Sequence, residues 1–260
     1  MPSLDEIIKA YGHIDDLENF KRPMFVGPHP DDIEFGCGGL ISKLKELKTP
    51  VIYVIVTDGA AGSDNPDIAA DDLAKIRKNE TLKAAEYMNI QEVEFLDLED
   101  GGNFEVEDVI RKLAPVVLKY QPDIIFAPDS QLKTECHSDH IKTGEAVRRL
   151  TQIIGHPVAL KRHNIDVSDF NVFPSNITLA FYFTDDPNKK VFFEERNLQE
   201  KITSLMCHSS QMSDNGTELL INYFKLKAIK LGEGQGLAED YKVLVPLTQH
   251  VYAEGVHYED

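Results

Sequence analysis

Two clusters of polar residues in this chain combine the side-chain types that bind a divalent metal ion. His29, Asp31 and Asp32 come directly after a short apolar run, in the stretch Gly-Pro-His-Pro-Asp-Asp. His137 and His140 form the second cluster, far along the chain. Catalytic zinc sites take three protein ligands, often imidazole nitrogens and carboxylate oxygens, and leave one position open for water. Together the two clusters predict one metal site suited to hydrolysis.

The spacing within each cluster indicates how the roles divide. The proline between His29 and the two aspartates restricts the backbone, so the side chains on either side are held at a defined separation. We predict that His29, Asp32 and His140 bind the metal. Asp31 is then left as the general base that activates a water molecule. His140 is preferred to His137 as the third ligand because an amphipathic helical segment begins there, whereas His137 lies in the preceding connection and is left for the substrate.

The elements that must position these clusters alternate between strand and helix. Short apolar runs predict strands at 24–26, 51–56, 93–96 and 124–127, and helical stripes of apolar residues separate them. This alternation predicts an α/β fold: a Rossmann-like, doubly wound, mainly parallel sheet in three αβα layers. The carboxyl ends of parallel strands share one edge, so we expect both clusters to meet there and form the active site.

Other parts of the chain are less regular. Pro115 is expected to kink or break a predicted helix that starts at residue 106. The glycines of the stretch Gly36-Cys-Gly-Gly39 are expected to allow close packing of a helix on the sheet. The elements predicted beyond residue 150 are a strand at 177–183, a helix at 198–206, and strands at 243–245 and 248–252.

Composition and charge limit the classes of protein. The chain has 260 residues, of which 42% are hydrophobic and 27% charged, which predicts a single globular domain over residues 1–260. Its formal net charge of −17 would repel phosphate backbones and anionic lipid, so we expect neither nucleic acid nor membrane partners. The three scattered cysteines argue against a disulfide framework and favour a reducing, cytoplasmic location.

Two other enzyme classes fit the same predicted architecture. One is a nucleotide-binding oxidoreductase or transferase, although the glycines after the first strand lack the GxGxxG spacing of a dinucleotide site. The other is a metal-dependent hydrolase of another bond, such as a phosphoester, which usually brings more metal ligands and cationic groups. A binding module without catalytic activity is a third alternative.

Some residues also allow a purely structural interpretation. Arg77 and Glu80 could form a simple surface pair one helical turn apart. His208 could be a structural residue at a helix end. Asp139 could orient or charge the imidazole of His137, or it could cap the helix that follows.

Several motifs, in this order, resemble the PIG-L or LmbE-like zinc-dependent N-deacetylases, and among them the diacetylchitobiose type. The motifs that carry the resemblance are Pro28-His-Pro-Asp-Asp32, Thr57-Asp-Gly59, Arg77 with Glu80, His137-Ser-Asp-His140 and His208-Ser-Ser-Gln211. The resemblance to the diacetylchitobiose type rests on Phe126-Ala-Pro-Asp129, Ala238-Glu239 and the region of His250.

The resemblance implies zinc on the predicted ligands and release of acetate from a small molecule that contains N-acetylglucosamine. Ferrous iron is an alternative, because two histidines and one aspartate suit both ions. Arg77 and Asp100 match positions that hold sugar hydroxyls, and His137 matches the histidine that stabilises the tetrahedral intermediate. His250 matches a tail histidine that reaches a neighbouring subunit's site. Since family members commonly form hexamers, the resemblance also implies a homo-oligomer.

Overall fold

A mixed sheet of seven strands organises the fold. The computed structural model describes residues 3, 6, 12–101, 103–172, 176–212 and 214–250, without the side chains of 214 and 215. The strands are β1 (Pro23–Gly27), β2 (Ile52–Thr57), β3 (Glu92–Leu98), β4 (Ile124–Pro128), β5 (Thr178–Tyr182), β6 (Lys189–Phe193) and β7 (Leu237–Leu244). The helices are α1 (Asp32–Glu46), α2 (Ala70–Tyr87), α3 (Val106–Tyr120), α4 (Ser138–Ile153), α5 (Pro157–Arg162), α6 (Glu195–Leu205) and α7 (Asp214–Gly232).

The strand order is β3-β2-β1-β4-β5-β7-β6. All pairings among strands β1 to β5 are parallel, whereas β7 pairs antiparallel with both β5 and β6. The chain order reverses beside β1, which lies between β2 and β4. Ligands of doubly wound sheets bind at such a switch point, at the carboxyl ends of the strands. His29 follows β1 and the His137 cluster follows β4, so the topology brings the two clusters to this point.

Helices cover both faces of the sheet, which confirms the predicted three-layer α/β architecture. Every residue of β1, β2, β4 and β5 is buried, as expected of parallel strands covered on both sides. Apolar side chains of α1 and α2 pack on one face, and those of α3 and α4 pack on the other. A smaller apolar cluster joins α6 and α7 to the antiparallel strands. Among the described helices, none is long and apolar enough to cross a bilayer.

Close packing of α1 depends on its glycines, as the sequence predicted. A Cβ atom at Gly36 would lie 2.4 Å from Cδ2 of Tyr182, and one at Gly39 would lie 2.6 Å from Cε1 of Phe193. The Tyr182 ring cannot turn away freely, because its hydroxyl donates a hydrogen bond to the carbonyl of Val26. The glycines therefore set the distance between α1 and the sheet, and with it the position of the site residues at the start of α1.

The secondary structure differs from the prediction in several places. Helix α3 continues through Pro115 without a break, because its buried face, which includes Leu113 and Val117, holds it against the sheet. Residues 246–249 form a 3-10 helix instead of the start of a strand, and 251–252 lie outside the described residues. Helix α7 and strand β6 were not predicted.

Candidate active site

His29 and Asp32 are held together by the turn from β1 into α1. The backbone N–H of His29 donates to Oδ2 of Asp32 at 2.9 Å, and Nδ1 of His29 lies 3.1 Å from the same oxygen. Asp31, the residue before α1, has a φ of 129°, which an ordinary L-residue rarely adopts. Such strain concentrates at functional sites, where the surrounding structure enforces it. Here the strained backbone directs the Asp31 and Asp32 carboxylates to different partners.

The predicted ligands lie close together. One ligand atom each from His29, Asp32 and His140 lies within 4.8 Å of the others. Nε2 of His140 is 3.4 Å from Oδ1 of Asp32, although 108 residues separate them in the chain. Two imidazole nitrogens and a carboxylate oxygen form a donor set that a divalent ion accepts. The described part of the chain thus contains a His-Asp-His group that can hold a metal ion.

Three carboxylates surround the imidazole of His29. Its Nε2 atom lies 3.2 Å from Oδ1 of Asp100 and 3.4 Å from Oδ2 of Asp139, on the side opposite Asp32. Burial alone would lower the pKa of His29, but the close carboxylates of Asp100, Asp139 and Asp32 raise that pKa to about 12. Burial of Asp100 and Asp139 opposes ionisation, yet the contact with His29 lowers the pKa of both carboxyl groups. This concentration of negative charge suits a cation.

Asp31 and Asp32 differ in electrostatic environment although they are adjacent. Burial and then the charge of Asp32 raise the pKa of Asp31, and Arg77 offsets only part of this effect. Burial would also raise the pKa of Asp32, but His140 and His29 outweigh it and lower that pKa. Two neighbouring carboxyl groups with opposite pKa shifts are suited to different tasks. Asp32 is suited to remain ionised, and Asp31 to exchange a proton.

Arg77 is buried against the turn that carries Asp31. Its guanidinium donates to the carbonyls of Gly59 at 3.0 Å and Pro30 at 2.8 Å, and it contacts Oδ2 of Asp31 at 3.3 Å. Glu80 is also buried, and its carboxylate accepts hydrogen bonds from Ser209 and Ser210. The alternative of a surface pair is therefore wrong for both residues. The contacts of Arg77 position Asp31.

Asp139 lies close to both His29 and His137. The Asp139 carboxylate contacts Nε2 of His29 and accepts a hydrogen bond from the backbone N–H of Gly101, and a ring nitrogen of His137 lies within 4.8 Å of it. Nδ1 of His137 accepts a weak hydrogen bond of 3.4 Å from the backbone N–H of Asp139. His137 is thus the capping residue of α4, and its side chain is exposed. Its ring centroid lies 4.7 Å from that of His29.

The sequence interpretation missed two carboxylates next to the motifs. Oε2 of Glu135 lies 3.2 Å from Nδ1 of His140, and Oε1 accepts the backbone N–H of His137. Glu34 is almost completely buried, with Oε2 3.6 Å from Nε2 of the fully buried His208. Both glutamates stand within three residues of a predicted site residue. Their closeness in sequence to those residues was the signal that could have identified them.

His208 is completely buried beside Glu34. Burial would lower the pKa of His208, but Glu34 and then the charge of Asp31 raise it. His208 does follow the end of α6, as predicted. It also interacts electrostatically with Asp31 in the candidate site, which was not predicted. A buried His208–Glu34 pair thus supports the turn that carries the adjacent aspartates.

His250 lies near the amino ends of the parallel strands, at the end of the sheet opposite the candidate site. It follows the 3-10 helix Pro246–Gln249, where the Gln249 side chain donates to the carbonyl of Ile177 at 2.7 Å. Ile177 immediately precedes β5, so this contact marks the amino edge of the parallel strands. The structure therefore brings together every predicted site residue except His250.

The fold and the site define a class of protein. A doubly wound sheet carries, at its switch point, a His-Asp-His group that can hold a divalent ion and a separate buried aspartate, as hydrolytic enzymes require. More particularly, the chain belongs to the PIG-L family, whose model, described as GlcNAc-PI de-N-acetylase, matches residues 24–151.

Individual relatives agree with this membership. The chain is 32% identical over 206 residues to the "Probable N-acetyl-alpha-D-glucosaminyl L-malate deacetylase 2" of Bacillus cereus, covering 74% of this chain and 84% of that protein. It is 28% identical over 245 residues to the diacetylchitobiose deacetylase of Thermococcus kodakarensis, covering 93% and 84%. The solved N,N'-diacetylchitobiose deacetylase of Pyrococcus horikoshii superposes with a TM-score of 0.85 at 26% identity, covering 96% of each chain. These relatives are N-deacetylases, which hydrolyse amide bonds.

Proposed function

We propose that this protein removes the acetyl group from a small molecule that contains N-acetylglucosamine, by metal-assisted hydrolysis of the amide bond. The observation that carries the proposal is the His-Asp-His group next to the buried, strained Asp31. The two diacetylchitobiose deacetylases support it further, because each aligns with more than nine-tenths of this chain.

Zinc is the proposed metal, held by His29, Asp32 and His140. When bound, a divalent ion supplies a Lewis acid that polarises the amide carbonyl and acidifies a water molecule. Asp100 and Asp139 contact His29 through Nε2, which leaves Nδ1, the nitrogen that faces Asp32, for the metal. Carboxylates that fix the second nitrogen of a metal-binding histidine are a common feature of such sites. The contacts of both aspartates with His29 thus favour a positioning role for them, and the contact of Arg77 with Asp31 favours the same role for Arg77.

Asp31 is proposed as the proton carrier of the reaction. Its raised pKa matches a group that takes a proton from the attacking water and then gives it to the departing amine. The second transfer is needed because an unprotonated amide nitrogen is a poor leaving group. Arg77 and the strained backbone hold the carboxylate in place between the two transfers.

His137 is proposed to stabilise the negative charge that develops on the carbonyl oxygen. Because its Nδ1 atom accepts the N–H of Asp139, the proton of the neutral imidazole resides on Nε2. That N–H is available as a donor from the exposed end of the ring. A donor aimed at the developing oxyanion lowers the barrier selectively in the transition state.

An acetate-release assay tests the proposed function. A panel of N-acetylglucosamine derivatives should release acetate with zinc-restored protein and not with metal-free protein. Acetate release restored by ferrous iron but not by zinc would identify the alternative metal. Hydrolysis of a phosphoester without any acetate release would favour the other class of metal-dependent hydrolase, and binding of NAD would favour a nucleotide enzyme.

Glu135 provides a separate test of the metal site. Its contact with Nδ1 of His140 should hold the ring with Nε2 toward Asp32. We expect Glu135→Gln to weaken zinc binding by about ten- to a hundredfold, the usual effect of losing such an outer contact. Competition with a fluorescent zinc chelator measures this affinity. Glu145→Gln, at a half-buried position further along α4, is the control, and equal affinities of the two variants would refute the role of Glu135.

Self-association is proposed as well. His250 lies at the edge away from its own site, so a role at a catalytic centre requires a neighbouring subunit. Helix α7 offers an apolar surface for contact between copies. Its members are at least 47% exposed: Leu219, Tyr223, Leu226 and Ile229. A monomeric mass by light scattering would contradict this proposal. We also propose a cytoplasmic location, supported by three free cysteines and testable by cell fractionation.

A further inference from the structure

A cavity of about 550 Å³ opens directly beside the His-Asp-His group. Asp32 and His140 form part of its wall, so whatever occupies it lies next to the reacting amide. Cavities that bury a whole small ligand have volumes of roughly 300 to 1,000 Å³. The cavity is therefore larger than the acetyl group of the proposed substrate requires.

The walls of this cavity are mainly aromatic and aliphatic. The Phe183 ring is nearly parallel to the His140 ring, with centroids 6.2 Å apart. On the other side, Phe35 stacks on Phe224 of α7 with centroids 5.4 Å apart. Leu220, also on α7, is half-buried and lines the cavity as well. An apolar path thus leads from the candidate metal group to the inner face of α7.

The charged side chains around the cavity are already paired. Nζ of Lys201 lies 2.7 Å from Oε1 of Glu239, and Nζ of Lys227 lies 3.1 Å from Oδ1 of Asp240. Glu135 contacts His140, as described above. Paired charges have little to gain from an ionic ligand, whereas the apolar walls gain from the removal of water. The cavity therefore selects for apolar surface.

The polar residues around His29 other than Asp32 and His140 lie outside this cavity. Asp100, His137 and Asp139 do not line the cavity, although they surround the same candidate metal group. The site is thus divided into a polar side and an apolar side. A substrate that fills both must combine a polar sugar with an apolar group close to the amide.

We propose that this cavity binds an alkyl or aryl substituent of the amide substrate, carried either on the acyl group or on the glycosidic oxygen. The inference rests on the proposed function for the reaction itself. Most of the cavity is built by α6, α7, β6 and β7, which lie beyond the residues 24–151 matched by the family model. The C-terminal part of the chain thus determines this preference.

The test compares three substrates: N-acetylglucosamine, its octyl β-glycoside, and glucosamine with an octanoyl group on the nitrogen. We expect kcat/KM to be about tenfold or more higher for one octyl derivative than for the plain sugar, because burial of a few methylene groups suffices for this factor. The preferred derivative shows which bond carries the apolar group. Equal values for all three substrates would overturn the proposal.

Variants on α7 locate the effect. Leu220→Trp should narrow the cavity and remove the preference, and Leu220→Asp, which introduces a charge, should do the same. Leu47→Trp is the control, because Leu47 is 58% exposed at the end of α1 and lies outside the cavity. A preference that persists in both Leu220 variants would contradict the assignment to this cavity.

Calorimetric titration with octyl β-glucoside, which has no amide, separates the two proposals. We expect binding to the protein that Leu220→Asp abolishes and Leu47→Trp retains. Acetate release from plain N-acetylglucosamine without any octyl preference or binding would overturn the cavity proposal alone. Binding of the octyl probe without release from any substrate would overturn the proposed function alone.

Discussion

Asp31→Asn should lower kcat by a factor of at least about 10², the lower end of what a positioned general base contributes. The amide cannot accept the proton of the attacking water, so the reaction loses its base while the shape of the side chain is retained. Asparagine also tolerates a positive φ better than most residues, so the strained turn should persist. The zinc content should remain near that of the unchanged protein. Initial acetate-release rates and metal analysis of the same samples measure both quantities.

Asp97→Asn is the matched control for this experiment. Asp97 also has a positive φ, of 47°, and lies in β3, but its side chain is exposed and pairs with Lys78 on the surface. Its activity should be unchanged. Full activity of Asp31→Asn would remove Asp31 from the mechanism. Loss of zinc from that variant would instead make Asp31 a metal ligand.

His140→Ala should abolish both zinc binding and turnover. It removes one of three proposed ligands, so the loss of affinity should exceed the roughly ten- to hundredfold effect of an outer contact such as Glu135. The purified variant should contain little zinc, and added zinc should not restore acetate release. His140 is partly exposed near the start of α4, so truncation should leave the fold intact. Circular dichroism and metal analysis check these expectations.

His156→Ala is the control, because His156 is exposed in the connection between α4 and α5. It should retain zinc and activity. If His140→Ala still bound one zinc ion per chain with unchanged affinity, the ligand set would have to be redrawn. The second group found among the described residues, His29, His137 and Asp139, would then be the next candidate.

The sheet was predictable where burial imposes a pattern on the sequence. Strands β1, β2 and β4 are covered on both faces, so they appear in the sequence as short, continuous apolar runs. Helix α7 was missed because several of its large apolar residues, such as Leu219 and Leu226, face the solvent and blur the one-sided pattern of a packed helix. Strand β6 alternates only partly between buried and exposed residues and was missed for the same reason.

The site was predictable to the extent that its contacts are local. The pairing of His29 with Asp32 follows from a spacing of three residues at the start of a helix. By contrast, the Asp139 carboxylate could have turned to His137 or to the helix end, and the structure turns it to His29. Nothing in the local sequence distinguishes these directions, because they depend on which strands become neighbours.

The sequence alone determined the chemical composition of the site, since the two motifs supply imidazole and carboxylate groups directly after strands of a parallel sheet. It also determined the class of fold, because alternation of buried strands and amphipathic helices is written in the order of apolar residues. Only the tertiary structure decided that Arg77 is buried against Asp31, that His250 lies at the far edge, and that an apolar cavity adjoins His140. These features arise from contacts between segments far apart in the chain, whose geometry depends on strand order and helix packing, not on any local pattern.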